Sequence, residues 1–441
     1  MQMTSSYGAE IRKQNIPILH TLRIYRSAVS YLIQVYAEAW EELSGITDTK
    51  KRFNEAEHLV HTTKKNQARY DFDRYFPKLP SYLRRSAIQH ALGSIASYET
   101  RLELWKNGTL SGKPKLTLEN HAMPVFYREV MYREAGETEN AAYLKLYDGH
   151  DWKWFRVRLL HTDMEYLRKH WMGKKASAPT LEKRHHKYFL RFTYIEETKL
   201  SRTAVKDQTI CSVDMGINTD AVCTIMRADG TVLGRRFLNF PSEKDRLYRV
   251  LGRVRRFQRQ HGSGQSGSRW AYAKRLNMEL ARKVSGAITA YAWEQGAEVI
   301  VFEYLEIQGK KQGGKKQRLH MWRKRDIQKQ CEHQAHRRGI RVSRVSARNT
   351  SRQAFDGSGK VARNPENHSL CSFTTGKQYN CDLSAAYNIG ARYFIRELLK
   401  PLPETERSSL EAKVPAVKRR TSCVYADLRR LSQELGSCQA A

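Results

Sequence analysis

Three acidic residues stand far apart in the chain, each in an apolar context that reads as a strand end or a helix start. Asp214 lies in TICSVDMGINTDAVCTI, Glu303 in AEVIVFEYLEI and Asp382 in YNCDLSAAYNIGARYF. The rest of the 441 residues is strongly basic, with 78 Lys plus Arg against 45 Asp plus Glu and a formal charge of +33. Such a chain repels divalent cations except where carboxylates converge. If these three meet, they offer hard oxygen donors suited to Mg²⁺. Two such ions beside a phosphodiester can activate a water. They can also stabilise the leaving 3′ oxygen during in-line attack. No nucleophilic Ser or Cys is needed.

Each acid alone has an ordinary explanation. An Asp before Gly is usually a turn former. A Glu after VIVF can pair with a basic neighbour, and an Asp before LSAA can cap a helix. The three together, in this order and spacing, argue for a shared site.

The elements that must position them follow from periodicity. From Gln208 the chain reads strand, turn, strand, with an Asp229-Gly230 hairpin turn. A long helical pattern follows around WAYAKRLNMELARKVSGAITAYAWEQG. Then come strand AEVIVFE, a basic loop, helix HMWRKRDIQKQCEHQAHRRG, strand IRVSRVS, an irregular segment and helix LSAAYNIGARYFIRELL. A hairpin followed by alternating helix and strand is the element order of an RNase H-like fold with a mixed sheet.

The N-terminal half has a different texture. Residues 1–20 contain a possible edge strand, SYGAEIRKQ. Helical spacing runs from Ile18 to Leu43, and a second strong helix follows Pro80 and Ser81 and stops before Gly108. Residues 113–205 alternate aromatics with Lys and Arg in strand-like pieces. Trp152, Trp154 and Tyr188 there suit either a core or a base-stacking face.

Composition bounds the rest. Apolar residues are 40% of the chain and aromatics 10%, enough for packed cores, and the length predicts two to four domains. The spread of positive charge, interleaved with Tyr and Trp, points to a polyanion partner. Seven irregularly spaced cysteines fit a reducing cytoplasm rather than a disulfide scaffold. No apolar run reaches membrane-spanning length, so no membrane partner is expected.

DMGIN followed by an apolar strand, VFEYLEI, and CDLSAAYNIGAR resemble the three acidic motifs of the RuvC-like nuclease domain in RNA-guided nucleases. Similar proteins are the miniature type V CRISPR effectors, of the V-F kind, and the transposon-encoded TnpB proteins. The motif resemblance covers residues 208–395, and the third motif is the most specific. It implies a Mg²⁺-dependent RNA-guided endonuclease that cleaves double-stranded target DNA, with Asp214, Glu303 and Asp382 as catalytic metal ligands for two ions. A TnpB-type nuclease and an RNA-guided DNA-binding protein without cleavage are the alternatives. An unguided resolvase would not need the large N-terminal half. The resemblance leaves a monomer and a homodimer on one guide RNA both open.

The resulting architecture is multidomain α+β. Residues 1–20 are a strand of a wedge domain, 21–112 a helical recognition domain and 113–205 the β-rich wedge domain. The RuvC-like (RNase H fold) nuclease domain takes 206–349 and 382–400, interrupted at 350–381 by a degenerate zinc ribbon. The tail 401–441 reads as peripheral. In the ribbon, the places of the family's cysteine pairs fall at Ala354 and Gly357 and at Cys371 and Thr374. With only Cys371, Cys381 and His368 left as donors, no zinc is expected, and the segment reads as a mobile lid. Lys360 and Arg363 on it are candidates for nucleic-acid contact. So are Lys310, Lys311, Lys315, Lys316, Arg318, Arg323, Lys324 and Arg325 in the basic loop after Glu303. A Gly/Ser loop around residue 265 is expected to be disordered without nucleic acid.

Overall fold

The computed structural model describes residues 1–136, 138–262, 264–304, 322–367, 369–419 and 421–440. Five of the candidate contacts, Lys310, Lys311, Lys315, Lys316 and Arg318, and the candidate ligand His368 lie outside them. The chain divides into two compact units, Gln2–Glu196 and Glu197–Ala441, the second taking Met1 as well. Among the described residues no helix is long and apolar enough to cross a membrane.

The first unit holds strand β1 (Gln2–Ile11), helices α1 (Ile18–Glu38), α2 (Thr49–Val60) and α3 (Ser81–Lys106), strands β2 (Tyr132–Glu134), β3 (Ala141–Tyr147) and β4 (Trp152–Arg158), helix α4 (His161–Trp171), and strands β5 (Thr180–Arg184) and β6 (Lys187–Glu197). Short helical turns at Trp40–Ser44 and Phe72–Tyr75 lie between α1 and α3. In α1, Leu22, Tyr25, Val29, Leu32, Ile33 and Tyr36 recur at helical spacing and are buried. They pack against Leu83, Ala87, Ile88, Ala91 and Ile95 of α3. Two antiparallel three-stranded sheets, β1-β6-β5 and β2-β3-β4, join the same core through Leu144, Leu146, Val157, Leu181 and Leu190. The helical and β-rich segments, expected as separate domains, share one core within this compact unit. The unit ends at Glu196.

The second unit is built on β7 (Thr209–Asp214), β8 (Ala221–Arg227), β9 (Val232–Leu238), β10 (Val299–Tyr304) and β11 (Arg341–Ser346). Their order in the sheet is β11-β10-β7-β8-β9. The first three strands form an antiparallel meander, whereas β10 runs parallel to both β7 and β11. Strands β7 and β10 are buried along most of their length because both their faces are covered. On one face Cys211, Val213, Ile300 and Phe302 meet helices α6 (Gly267–Glu294) and α7 (Lys324–Arg337). On the other face Ile210, Val299 and Val301 meet helix α8 (Cys381–Leu399).

Helix α8 is buried along nearly its whole length, so its outer side needs cover as well. Helices α9 (Glu404–Lys413) and α10 (Tyr425–Ala440) supply it, with Leu410, Val417, Leu428 and Leu431 completing the core. The tail is thus structural, not peripheral. Helix α5 (Pro241–His261) and α6 are joined through a buried Ser266, whose Oγ accepts from Gln258 Nε2 at 3.0 Å, and Arg269 lies 3.9 Å over the Phe257 ring.

Candidate active site

Strand pairing sets the first two acids. In the parallel β7–β10 pair the last partners are Val213 and Phe302. Asp214 and Glu303 are the next residues, so they stand side by side on neighbouring strands, which run about 4.8 Å apart. Side chains alternate along a strand. Val213 and Phe302 face α6 and α7, which turns Asp214 and Glu303 to the face covered by α8.

Asp382 lies in the first turn of that helix. It does not cap the helix: Asn380 does, its Oδ1 accepting from the Leu383 amide at 2.9 Å. The Asp382 carboxylate instead accepts from the Thr219 side chain in the β7–β8 turn. Gly216 makes that turn possible, since a Cβ there would lie 2.7 Å from the Thr219 carbonyl.

Electrostatics tie the three together. Asp214 is pushed well above the usual carboxylate range, first by desolvation and then by repulsion from Glu303 and Asp382. Its side chain still reaches solvent, but the crowding around it is dense enough for desolvation to lead. Glu303, 8% exposed, is raised by burial, with Thr350 and Arg392 opposing. Asp382 is raised by burial too, against Arg363 and Thr219. Arg363 also faces Asp214. As they stand the carboxylates are neighbours, not a closed ligand shell: among the described residues no three His, Cys, Asp or Glu side chains are grouped to hold a metal ion.

A supporting layer emerges that the sequence reading did not assign. The Thr350 hydroxyl donates to Oε1 of Glu303, and Gln328 Nε2 donates to the Glu303 carbonyl at 2.9 Å. Asn388 Nδ2 donates to the carbonyls of Thr350 and Gln353, both at 3.0 Å. One turn on, the buried Arg392 donates Nη1 to the carbonyls of Ser346 at 2.7 Å and Arg348 at 2.8 Å. Asn388 and Arg392 thus hold the loop that carries Thr350. Gly390 between them lets α8 approach the sheet, where a Cβ would sit 2.6 Å from Met226 Sδ and 3.0 Å from Ser212 Oγ. The phrase NIGAR, seen only as a motif, carries this physical load.

The ribbon-like segment is an antiparallel sheet of β12 (Ala362–Arg363), β13 (Leu370–Ser372) and β14 (Gln378–Asn380). Turns at 354–357 and 373–376 are closed by backbone bonds from Gly357 to Ala354 at 3.2 Å and from Gly376 to Phe373 at 2.9 Å. Ala354, Cys371, Phe373 and Cys381 form a small buried core between them. Phe355 extends it, its ring 4.9 Å from Tyr379 and 5.3 Å from Tyr387. Burial raises the Cys371 thiol to about 12. Phe355 packs on Tyr387 of α8 and Tyr425 of α10, and the Gln353 carbonyl accepts from Asn388 of α8.

The basic candidates separate. Lys360 and Arg363 are exposed and, with Arg352, line an open cleft of about 510 Å³. Arg325 is exposed. Arg323 is paired with Asp326 at 2.6 Å, and Lys324 is buried near the Trp322 ring. A stronger basic cleft, about 450 Å³, runs along α5 between Arg249, Arg253, Arg256 and Arg259 beside Tyr248. Arginines spaced by three and four residues on one helix face were the signal for it. In the first unit Trp152 is core, whereas Trp154 is exposed with Arg133 4.5 Å over its ring.

A family model described as the Aq_aa04 family matches residues 5–148. No curated protein matches the chain. Among solved structures the chain is similar to a Cas12f1–sgRNA–target DNA complex at 14% identity, covering 77% of this chain and 74% of that one, with a TM-score of 0.48. It is similar to the C2c1 protein of Alicyclobacillus acidoterrestris in complex with single-guide RNA at 10% identity, covering 86% and 69%, with a TM-score of 0.45. A Cas12i–crRNA–dsDNA complex follows at 10% identity and a TM-score of 0.40, where the match covers 94% of this chain but 66% of that one.

Proposed function

We propose that the second unit is a RuvC-like nuclease of RNase H fold and that the chain is an RNA-guided endonuclease acting on double-stranded DNA. The observation that carries this reading is the register that sets Asp214 beside Glu303 at the ends of parallel strands, on the face where Asp382 opens α8. The sheet order, a meander followed by two parallel strands on its far side, supports the fold assignment. The guide and the DNA target rest on the motif resemblance and on the +33 charge, which calls for a polyanion.

The donor set fits Mg²⁺. Three crowded carboxylates with raised proton affinity hold charge that is only partly balanced by Arg363 and Arg392. Asp214, Glu303 and Asp382 would hold the ions, two being expected. When bound, such ions lower the pKa of an attacking water and stabilise the leaving oxygen. Thr350 fixes one Glu303 oxygen and leaves the other for a ligand. Arg363, exposed beside two of the acids, is set to meet the scissile phosphate.

The test is cleavage directed by the chain's own RNA. Small RNA that co-purifies from the native locus is sequenced, and a plasmid matching its variable end is offered with Mg²⁺. Cutting that needs the match, and that Asp214→Ala abolishes while DNA binding persists, is the expected result. Co-purifying RNA without a variable end, or cutting unchanged in Asp214→Ala, would overturn the reading.

A further inference from the structure

The first unit contains a cavity of about 670 Å³, within the ~300–1,000 Å³ typical of small-molecule sites. Its walls are Trp40, Phe53, Tyr82 and Tyr127, with Arg85 and Gly93. The rings are organised: Tyr82 and Tyr127 lie 4.8 Å apart, and the Arg85 guanidinium sits 5.1 Å over Phe53. Tyr82 is 40% exposed, so an aromatic face stays open to a ligand.

Two cations stand beside these rings, Lys50 and Arg52. Arg52 Nε and Nη2 both donate to the Ile46 carbonyl, at 2.9 and 2.6 Å, which fixes the guanidinium and leaves Nη1. Arg85 reaches Glu57 only at 3.7 Å, beyond hydrogen-bond length. The site thus pairs stacking surfaces with donors for an anion.

Gly93 leaves the pocket open along α3. It lies inside α3, where glycine weakens a helix. Its φ is not in the left-handed region, and a Cβ there would meet nothing within 4 Å. Neither backbone nor packing within the chain requires glycine. What its missing side chain provides is open space, in a cavity lined on the same helix face by Gln89 and Ala96.

We propose that this pocket binds an unstacked nucleobase of a single-stranded nucleic acid, with its phosphate at Lys50, Arg52 and Arg85. Base–aromatic stacking beside cations is the general chemistry of single-strand recognition. The inference goes beyond the nuclease reading and stands without it, because it requires neither cleavage nor a guide.

The test uses the full chain without divalent metal and single strands of about 12 nucleotides carrying 5-iodouracil, as RNA and as DNA. Photocrosslinks are mapped by mass spectrometry. Adducts are expected at one or more of Trp40, Phe53, Tyr82 and Tyr127. Gly93→Leu, which places a branched side chain at the edge of the pocket, should lower them about tenfold while adducts elsewhere persist. Tyr82→Ala, its folding checked by a thermal melt, should weaken single-strand binding about tenfold and spare duplex binding. Adducts with RNA alone identify a ribose-bearing strand, with DNA alone a deoxyribose strand, and with both a pocket that reads only the base. No adduct at these four residues, or undiminished adducts in Gly93→Leu with unchanged binding in Tyr82→Ala, would overturn the proposal.

Discussion

The hydroxyl of Thr350 donates to Oε1 of Glu303, so an uncharged residue just past β11 orients a carboxylate at the end of β10. Thr350 is 2% exposed and is held in turn by Asn388. Removing the donor leaves the buried carboxylate short of a partner and less well aimed. Thr350→Val should reduce cleavage about 10–100-fold, the range for residues that orient metal ligands, and should raise the Mg²⁺ concentration needed. Thr350→Ser should retain most activity. A Mg²⁺ titration of cleavage in both variants checks this, and equal curves for wild type and Thr350→Val would contradict it.

The carboxylate centre should make the metal-free chain less stable as pH rises. All three acids have folded pKa values above their ordinary ones, with burial the leading cause. Between the unfolded and folded values the folded state holds the extra protons. Their stabilising effect is therefore full at low pH and is lost as pH passes upward through the folded values. Asp214→Asn removes the most strongly raised group. In EDTA, its melting temperature should exceed that of wild type at about pH 8, and the gap should narrow toward about pH 5. Thermal melts of both proteins across that range read the difference directly, and a gap that widens at low pH would have the wrong sign.

Gly390 sets how closely α8 lies on the sheet. A methyl group there meets Met226 and Ser212, both fully buried, so the helix must lift or the neighbours must repack. Gly390→Ala should cost about 1–3 kcal/mol in urea unfolding, the usual cost of overpacking. Met226→Ala added to it should recover part of that loss. A neutral Gly390→Ala would show that the contact is looser than described.

The ribbon-like segment should hold its shape through apolar packing. Ala354, Gly357 and Thr374 have no strong metal-donor side chains, and Phe355 and Phe373 fill the space around the turns. Cys371→Ala should fold with a loss of roughly 1 kcal/mol, and Phe355→Ala should lose about 2–4 kcal/mol. Elemental analysis of the purified chain should find no stoichiometric zinc. One zinc per chain that disappears in Cys371→Ala would show a ligand set outside the expected one.

The contrast between what the sequence revealed and what it hid has a physical cause. Asp214 and Glu303 were legible because each ends an apolar strand with a charge, and the alternation of a two-faced strand fixes which way that charge points. Asp382 was legible because CDLSAAYNIG opens a helix. The supporting layer was not, because its bonds join residues distant in sequence: Asn388 to Thr350 across 38 positions and Arg392 to Ser346 across 46. Only the register of β10 and β11 against α8 brings them together. The tail misled for a related reason. Its helices carry few apolar residues, and their need is apparent only once α8 is seen to be buried on its outer side. Lys324 belongs to the basic run by sequence but is buried, which a charge pattern alone does not reveal.

The most direct measurement of the central claim is the uptake of Mn²⁺, as a spectroscopic stand-in for Mg²⁺, by the full chain. Free Mn²⁺ is followed by its paramagnetic signal in wild type and in Asp214→Asn, Glu303→Gln and Asp382→Asn. The account predicts saturable binding of about two ions per wild-type chain. Each variant should lose at least one of them or bind it about tenfold more weakly or worse. Binding that is absent in wild type, or that all three variants leave unchanged, would contradict a metal centre at these carboxylates.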